Sequence, residues 1–178
     1  MKSFTFATCK YKLYFFLSVI SSDNENSPLD IFIVIDQTKS VGKAHYDAML
    51  DSIMTLISKY DIGANKTRIS IVTYAGRAQI RLSLNDPHSY SQEALGQLIQ
   101  EMKDKDKLSS PTRTDRALKK VCENVFVTEG GDRPESPNVL IIFTDGGTHR
   151  NSEPYDTVLR GCEVSNEFMV EYPFTNAK

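Results

Sequence analysis

Hydrophobic positions along this chain alternate between unbroken runs and helically spaced sets. The run "IFIVI", residues 31–35, is continuously apolar and mostly β-branched, which predicts a central parallel strand covered on both faces. From Lys43 to Tyr60 the apolar residues Tyr46, Met49, Leu50, Ile53, Met54, Ile57 and Tyr60 recur at spacings of three and four, predicting an amphipathic helix. "GANKT" breaks it, and "RISIVTYA", 68–75, predicts a second strand. After Gly76, "AQIRLSL", 78–84, sets Ile80, Leu82 and Leu84 on one side and Gln79, Arg81 and Ser83 on the other, the alternation of an antiparallel edge strand with one wet face.

Turn residues in "NDPHSY" lead to a helix capped by Ser91 and running to about Lys103,. A mixed-charge loop, "DKDKLSSPTRT", follows. In "DRALKKVCENVF" the residues Ala117, Leu118, Val121, Cys122 and Val125 fall at helical spacing, which makes Cys122 a packing residue,. "TEGGDRPESP" is a loop, and "NVLIIFTDGG" repeats the opening theme of an apolar strand, here running into Thr144 and Asp145. Strands alternating with helices predict an α/β fold, an open and mostly parallel twisted sheet flanked by helices. In such sheets ligands bind at the carboxyl ends of the strands, where Asp36 and Asp145 both stand.

Composition narrows the field. The chain has 178 residues, enough for one domain with a substantial core,. With 21 basic and 23 acidic side chains and no long basic block, nucleic acid is a poor partner. Cys9, Cys122 and Cys162 make no metal-site spacing,. In residues 1–22, Lys2, Lys10 and Lys12 precede an apolar run, Leu13 to Ile20, that gives way to Ser21 and Ser22. This is the order of a secretory signal peptide, and the run is too short to span a bilayer. Residues 23–29 read as a polar linker and 30–178 as the domain, secreted and without a membrane span. Cleavage would remove Cys9 and leave Cys122 and Cys162 available to pair. Asn65-Lys66-Thr67 is a glycosylation sequon,.

Asp36, followed by Thr38 and Ser40, admits three roles: phosphate-transferring nucleophile, metal ligand or helix cap. "DQTKS" looks like the "DKTGT" of cation-pumping ATPases and haloacid-dehalogenase-like phosphotransferases. Most of those carry a second aspartate where Thr38 stands, and no later paired-aspartate motif appears. As ligands the same residues suit a hard cation, which takes oxygen donors and few carboxylates. The Asp36, Thr38 and Ser40 oxygens alternate along one loop. Asp145 offers a second carboxylate, and "SPTRTDRAL" offers Thr112 and Thr114. A cap at Asp36 and a turn at Asp145 remain open on these residues alone. His149 reads as a solvent-facing loop residue.

Taken together, "DQTKS", "PTRTDRAL" and "FTDGG" resemble the von Willebrand factor A domain with its metal-ion-dependent adhesion site, over about residues 30–147. Thr38 stands where that family has Ser, and Gln37 and Lys39 where it often has Gly. The resemblance implies that Asp36, Thr38, Ser40, Thr112 and Asp145 hold Mg²⁺ or Mn²⁺. It also implies a non-enzymatic function: extracellular adhesion or matrix binding, in which a carboxylate of a protein partner completes the coordination. Thr114 is then left to cap the helix beginning at Asp115. An intracellular complex subunit of the same fold is the alternative. The family's sheet continues through a helix, a strand, a second helix and a final strand, whereas Thr148–Lys178 has room for one helix and the strand "EFMVEYPF". The expected domain lacks the last helix and strand.

Overall fold

The protein is described here by a computed structural model covering residues 28–145, 147–154, 157–158 and 167–173. The leader 1–22, Cys9, Cys162 and most of the helix expected after Ser152 lie outside the described residues. Five strands form one sheet: β1 (Leu29–Asp36), β2 (Thr67–Tyr74), β3 (Ala78–Leu82), β4 (Asn138–Thr144) and β5 (Glu167–Pro173), in the order β3-β2-β1-β4-β5. All neighbours pair in parallel except β2 and β3, which are antiparallel. β1 begins one residue inside the expected linker, and β5 is the strand expected from "EFMVEYPF".

The helices are α1 (Lys43–Ile57), α2 (Gln92–Lys105) and α3 (Thr114–Asn124). α1 follows Gly42, whose φ of 76° is a backbone conformation that an L side chain resists,. It ends three residues before Tyr60, since Ser58, Lys59 and Tyr60 turn off into the loop before β2. α2 starts as the sequence predicts, with the Ser91 hydroxyl accepting from the Ala94 N–H. Glu93 in its first turn and Lys103 and Lys105 in its last complement the helix dipole,.

The period-two alternation of β1 distributes its side chains to two cores. Ile31, Ile33 and Ile35 pack under α1 and α2, against Tyr46, Met49, Leu50, Ile53, Leu95 and Ile99. Phe32 and Val34 face Leu118 and Val121 of α3, together with Leu140 and Ile142 of β4. A side chain buried this fully contributes ~1.5–3 kcal/mol, so β1, buried along its whole length, anchors both layers. β3 ends at Leu82 rather than Leu84, because the chain turns there, with Asp86 N–H donating to the Ser83 carbonyl. Within β3 the pairing register shifts opposite Ile71 and Val72, so Leu82 enters the α1/α2-side core while Ile80 and Leu84 go with the α3-side core, instead of all three sharing one face,.

β1 is the point where the connectivity reverses: β2 and β3 are laid down on one side of it, β4 and β5 on the other. Diverging connections leave a crevice at the carboxyl ends of β1 and β4. At the opposite end of β1, Asp30 is completely buried and held by Arg133, whose Nη2 lies 2.5 Å from Oδ1, with its backbone N–H 3.2 Å from Oδ2. Burial lifts the Asp30 carboxyl above its ordinary value although Arg133 opposes it. Removing one member of a buried pair strands the other. Arg133→Met is therefore expected to cost about 3–5 kcal/mol in urea unfolding, with part of the loss recovered in Asp30→Asn/Arg133→Met; a loss under about 1 kcal/mol would contradict this role.

Candidate metal centre

Asp36 ends β1 with no exposed surface. Its Oδ1 accepts from the Thr38 N–H at 3.0 Å and from the Thr38 hydroxyl at 2.6 Å. Its Oδ2 accepts from the Tyr74 hydroxyl at 3.2 Å and the Thr144 hydroxyl at 3.1 Å. The chain of oxygens continues from Thr38 Oγ1 to Ser40 Oγ at 2.9 Å. Asp36, Thr38 and Ser40 thus stand in one hydrogen-bonded row, with Thr38 buried and Ser40 exposed.

The residues between them turn the other way. The Gln37 N–H donates to the Tyr74 carbonyl, and its side-chain amide reaches the Lys107 carbonyl at 3.3 Å. Lys39 is exposed, and its N–H donates to the Ser109 carbonyl while Ser109 N–H returns to Gln37 O. This strand-like exchange with the α2–α3 loop keeps the two long side chains off the row of oxygens.

That loop brings Thr112 to the same edge. The Arg113 N–H donates to the Ala75 carbonyl, and the His149 N–H donates to the Thr112 carbonyl, which ties the Thr112 segment to the one after Asp145. No hydrogen bond among the described residues occupies the Thr112 hydroxyl. Asp145 is half-buried, with Oδ1 accepting from the Gly147 N–H at 2.9 Å. It is near enough to Asp36 for its charge to raise the Asp36 pKa. Four of the five predicted residues are therefore linked by side-chain bonds or by charge, and Thr112 by its backbone. His149 stays outside the set, its Nδ1 accepting from the Asn151 N–H. Asn65 is exposed in the turn before β2, at the opposite end of the sheet, and Thr67 of its sequon is buried as the first residue of β2.

Thr114 does not cap α3. It is the first helical residue, buried, and its hydroxyl donates to Tyr74 Oη at 3.1 Å. The helix start is held instead by Arg113, whose Nε and Nη2 lie 2.9 and 2.7 Å from the two Asp115 oxygens. Sequence reasoning left Tyr74 unassigned, yet it joins α3 to Asp36 through Thr114. Its signal was an aromatic at a strand end with a polar tip that burial obliges to find a partner.

Burial dominates the electrostatics of Asp36, lifting its carboxyl above the ordinary range; the Thr38 bonds oppose the rise and Asp145 adds to it. Among the described residues no lysine or arginine pairs with either carboxylate, although Asp30 and Asp115 each have an arginine. Two carboxylates without a basic partner, the Thr38 and Ser40 hydroxyls bonded in a row from Asp36, and a Thr112 segment tied by its backbone to the loop after Asp145 offer oxygen donors of the kind a hard divalent cation takes,. No group of three or more His, Cys, Asp or Glu side chains with metal-site geometry occurs among the described residues, so softer ions held by nitrogen or sulfur find no comparable set there.

Comparison with known proteins bears on this arrangement. Residues 30–165 match the von Willebrand factor type A domain model. The chain is 34% identical to matrilin-3 of Mus musculus over 126 residues, 68% of this chain and 25% of that protein. It is 26% identical to integrin alpha-X of Mus musculus over 176 residues, 89% of this chain and 14% of that protein. The chain thus spans a quarter or less of the length of these relatives. In fold it resembles proximal thread matrix protein 1 from the mussel byssus, solved with a zinc-occupied MIDAS motif. The TM-score is 0.72 and the identity 20%, covering 82% of this chain and 38% of that one.

The Arg113 bonds hold Asp115 down at about 2. A carboxylate depressed in the folded state adds stability above its unfolded value of about 3.9, and loses it as pH falls through the folded one. Arg113→Gln should therefore lower the melting temperature near neutral pH, with the difference from wild type shrinking below about pH 4. A difference that is constant from neutral pH down to about pH 2 would contradict the assignment.

Proposed function

The chain belongs to the von Willebrand factor type A domain family, and from that premise we propose that it is a non-enzymatic, divalent-cation-dependent adhesion or extracellular-matrix binding module. Asp36, Thr38, Ser40, Thr112 and Asp145 hold Mg²⁺ or Mn²⁺, directly or through water. When bound, the cation presents an open coordination position to an Asp or Glu carboxylate of a protein partner. The chain's own residues do the rest. Thr38, Tyr74 and Thr144 orient the Asp36 carboxylate, and the Ser109 exchange fixes the loop that carries Thr38 and Ser40.

The carrying observation is the wholly buried Asp36 carboxylate, placed near a second carboxylate with no basic side chain paired to either among the described residues. A phosphotransferase needs a basic side chain beside the nucleophile to neutralise the phosphate, and none pairs with Asp36 or Asp145 among the described residues, which weighs against that chemistry; wild type and Asp36→Asn alike should leave phosphatase assays at background.

Secretion is part of the proposal, with residues 1–22 as leader, 23–29 as linker and the domain from residue 30. The basic–apolar–small order of the leader, the exposed Asn65 at the head of its sequon and the disulfide at Cys122 support an oxidising, extracellular route. No helix among the described residues is long and apolar enough to cross a membrane. An intracellular subunit role predicts the opposite: retention in the cytosol and no glycan at Asn65.

Binding of Mn²⁺, followed by electron paramagnetic resonance on the folded chain, tests the site. One ion per chain is expected, with affinity reduced at least about tenfold, or 1.4 kcal/mol, in Asp145→Asn and in Thr112→Ala. Equal affinity in wild type and Asp145→Asn would sink the proposal.

A further inference from the structure

A cleft of about 480 Å³ opens at the carboxyl end of β2, on the side of β1 away from β4 and Asp145. Its lining includes Gln37, Thr73, Gly76, Arg77, Lys107 and Arg116, with no acidic residue. Arg77 and Lys107 are exposed and pair with no carboxylate among the described residues. Arg116 is also exposed, and its Nη1 donates to the Gly76 carbonyl at 2.8 Å, which fixes its guanidinium at the cleft wall. In the lining, Thr73 is 1% exposed and its hydroxyl has no hydrogen-bond partner. Such an orphan is uncommon in a folded protein.

The wall is closely built. A Cβ on Gly76 would come within 3.1 Å of Pro111 Cδ and 3.4 Å of the Ser110 carbonyl oxygen, so any side chain there would press the α2–α3 loop outward by a few tenths of an ångström. Three cations around a recess with no anion repel one another. A carboxylate entering the recess would relieve that repulsion and accept charge-assisted hydrogen bonds. Gln37 belongs both to this lining and to the Asp36–Thr38 loop, so a chain crossing the metal loop toward β2 reaches the cleft next.

Resting on the adhesion reading above, we propose that this cleft is a second recognition subsite, which takes an additional Asp or Glu side chain of the same protein partner. It selects partners carrying two acidic residues, one for the metal loop and one for Arg77, Lys107 and Arg116.

The test uses the full chain and two fluorescein-labelled peptides, Gly-Glu-Gly-Gly-Glu-Gly and its counterpart with the second Glu replaced by Gln, read by fluorescence anisotropy with Mg²⁺ and with EDTA. In Mg²⁺, Arg77→Gln/Lys107→Gln should weaken the two-glutamate peptide at least about tenfold, leave the one-glutamate peptide unchanged, and leave Mn²⁺ affinity unchanged. Both replaced side chains are exposed, so the fold should survive, and circular dichroism checks it. Loss of the variant's effect, an equal effect on both peptides, or no binding of the two-glutamate peptide by wild type overturns the subsite. Tighter capture of a heparin oligosaccharide, lost in the same variant, overturns its assignment to protein carboxylates. If EDTA leaves wild-type affinity intact while the variant still weakens the two-glutamate peptide, the subsite stands and the metal reading fails.

Discussion

A carboxylate sealed at the end of the central strand is the constraint around which this domain is arranged. Asp36 is completely buried, and removing a carboxylate from water costs several kcal/mol even after relaxation. Four donors from three elements offset that cost: the Thr38 N–H and hydroxyl, Tyr74 at the end of β2 and Thr144 at the end of β4. Each donor in turn fixes a neighbour. Thr38 positions Ser40, and Tyr74 receives Thr114 and so the start of α3. The hydrogen-bond demand of one buried group thereby registers three strand ends and a helix against one another.

The two ends of β1 resolve the same problem differently. At Asp30 the compensating charge comes from within the chain, through Arg133, so that edge is electrostatically closed. At Asp36 the donors are neutral, and the charge that acts on it is another carboxylate, Asp145. Neutral hydrogen bonds stabilise an anion without cancelling it. The asymmetry matches the topology, because connections diverge around β1 only at its carboxyl end,. At the edge that topology leaves open, the Asp36 and Asp145 carboxylates have no basic side chain paired to them among the described residues.

The architecture was legible because its periodicities were unambiguous. "IFIVI" and "NVLIIF" had no polar interruptions, and Tyr46 through Ile57 kept to one helical stripe, so strand and helix types followed from pattern alone. The row of Asp36, Thr38 and Ser40 was legible too, since alternate residues on one short loop need no distant partner to meet. What pattern could not carry was long-range satisfaction. Thr114 looks like a cap in sequence, but its hydroxyl is drawn off to Tyr74, forty positions away. Tyr74 itself reads as one more apolar strand residue until the burial of Asp36 shows why it bears a hydroxyl. Leu82 was assigned to the wrong face for a related reason: alternation holds only while the pairing register does, and the shift opposite Ile71 and Val72 broke it.

The missing positive charge at Asp36 and Asp145 is the centre of this account, and folding stability reads it directly. A cation that binds only the folded state raises stability by about 2.7 kcal/mol at a hundredfold excess over its dissociation constant. Melting the chain in millimolar Mg²⁺ or Mn²⁺ and again in EDTA should give a midpoint several degrees higher with metal, with the increment lost in Asp145→Asn. Coincident melting curves for the wild-type chain with and without the cation would contradict it.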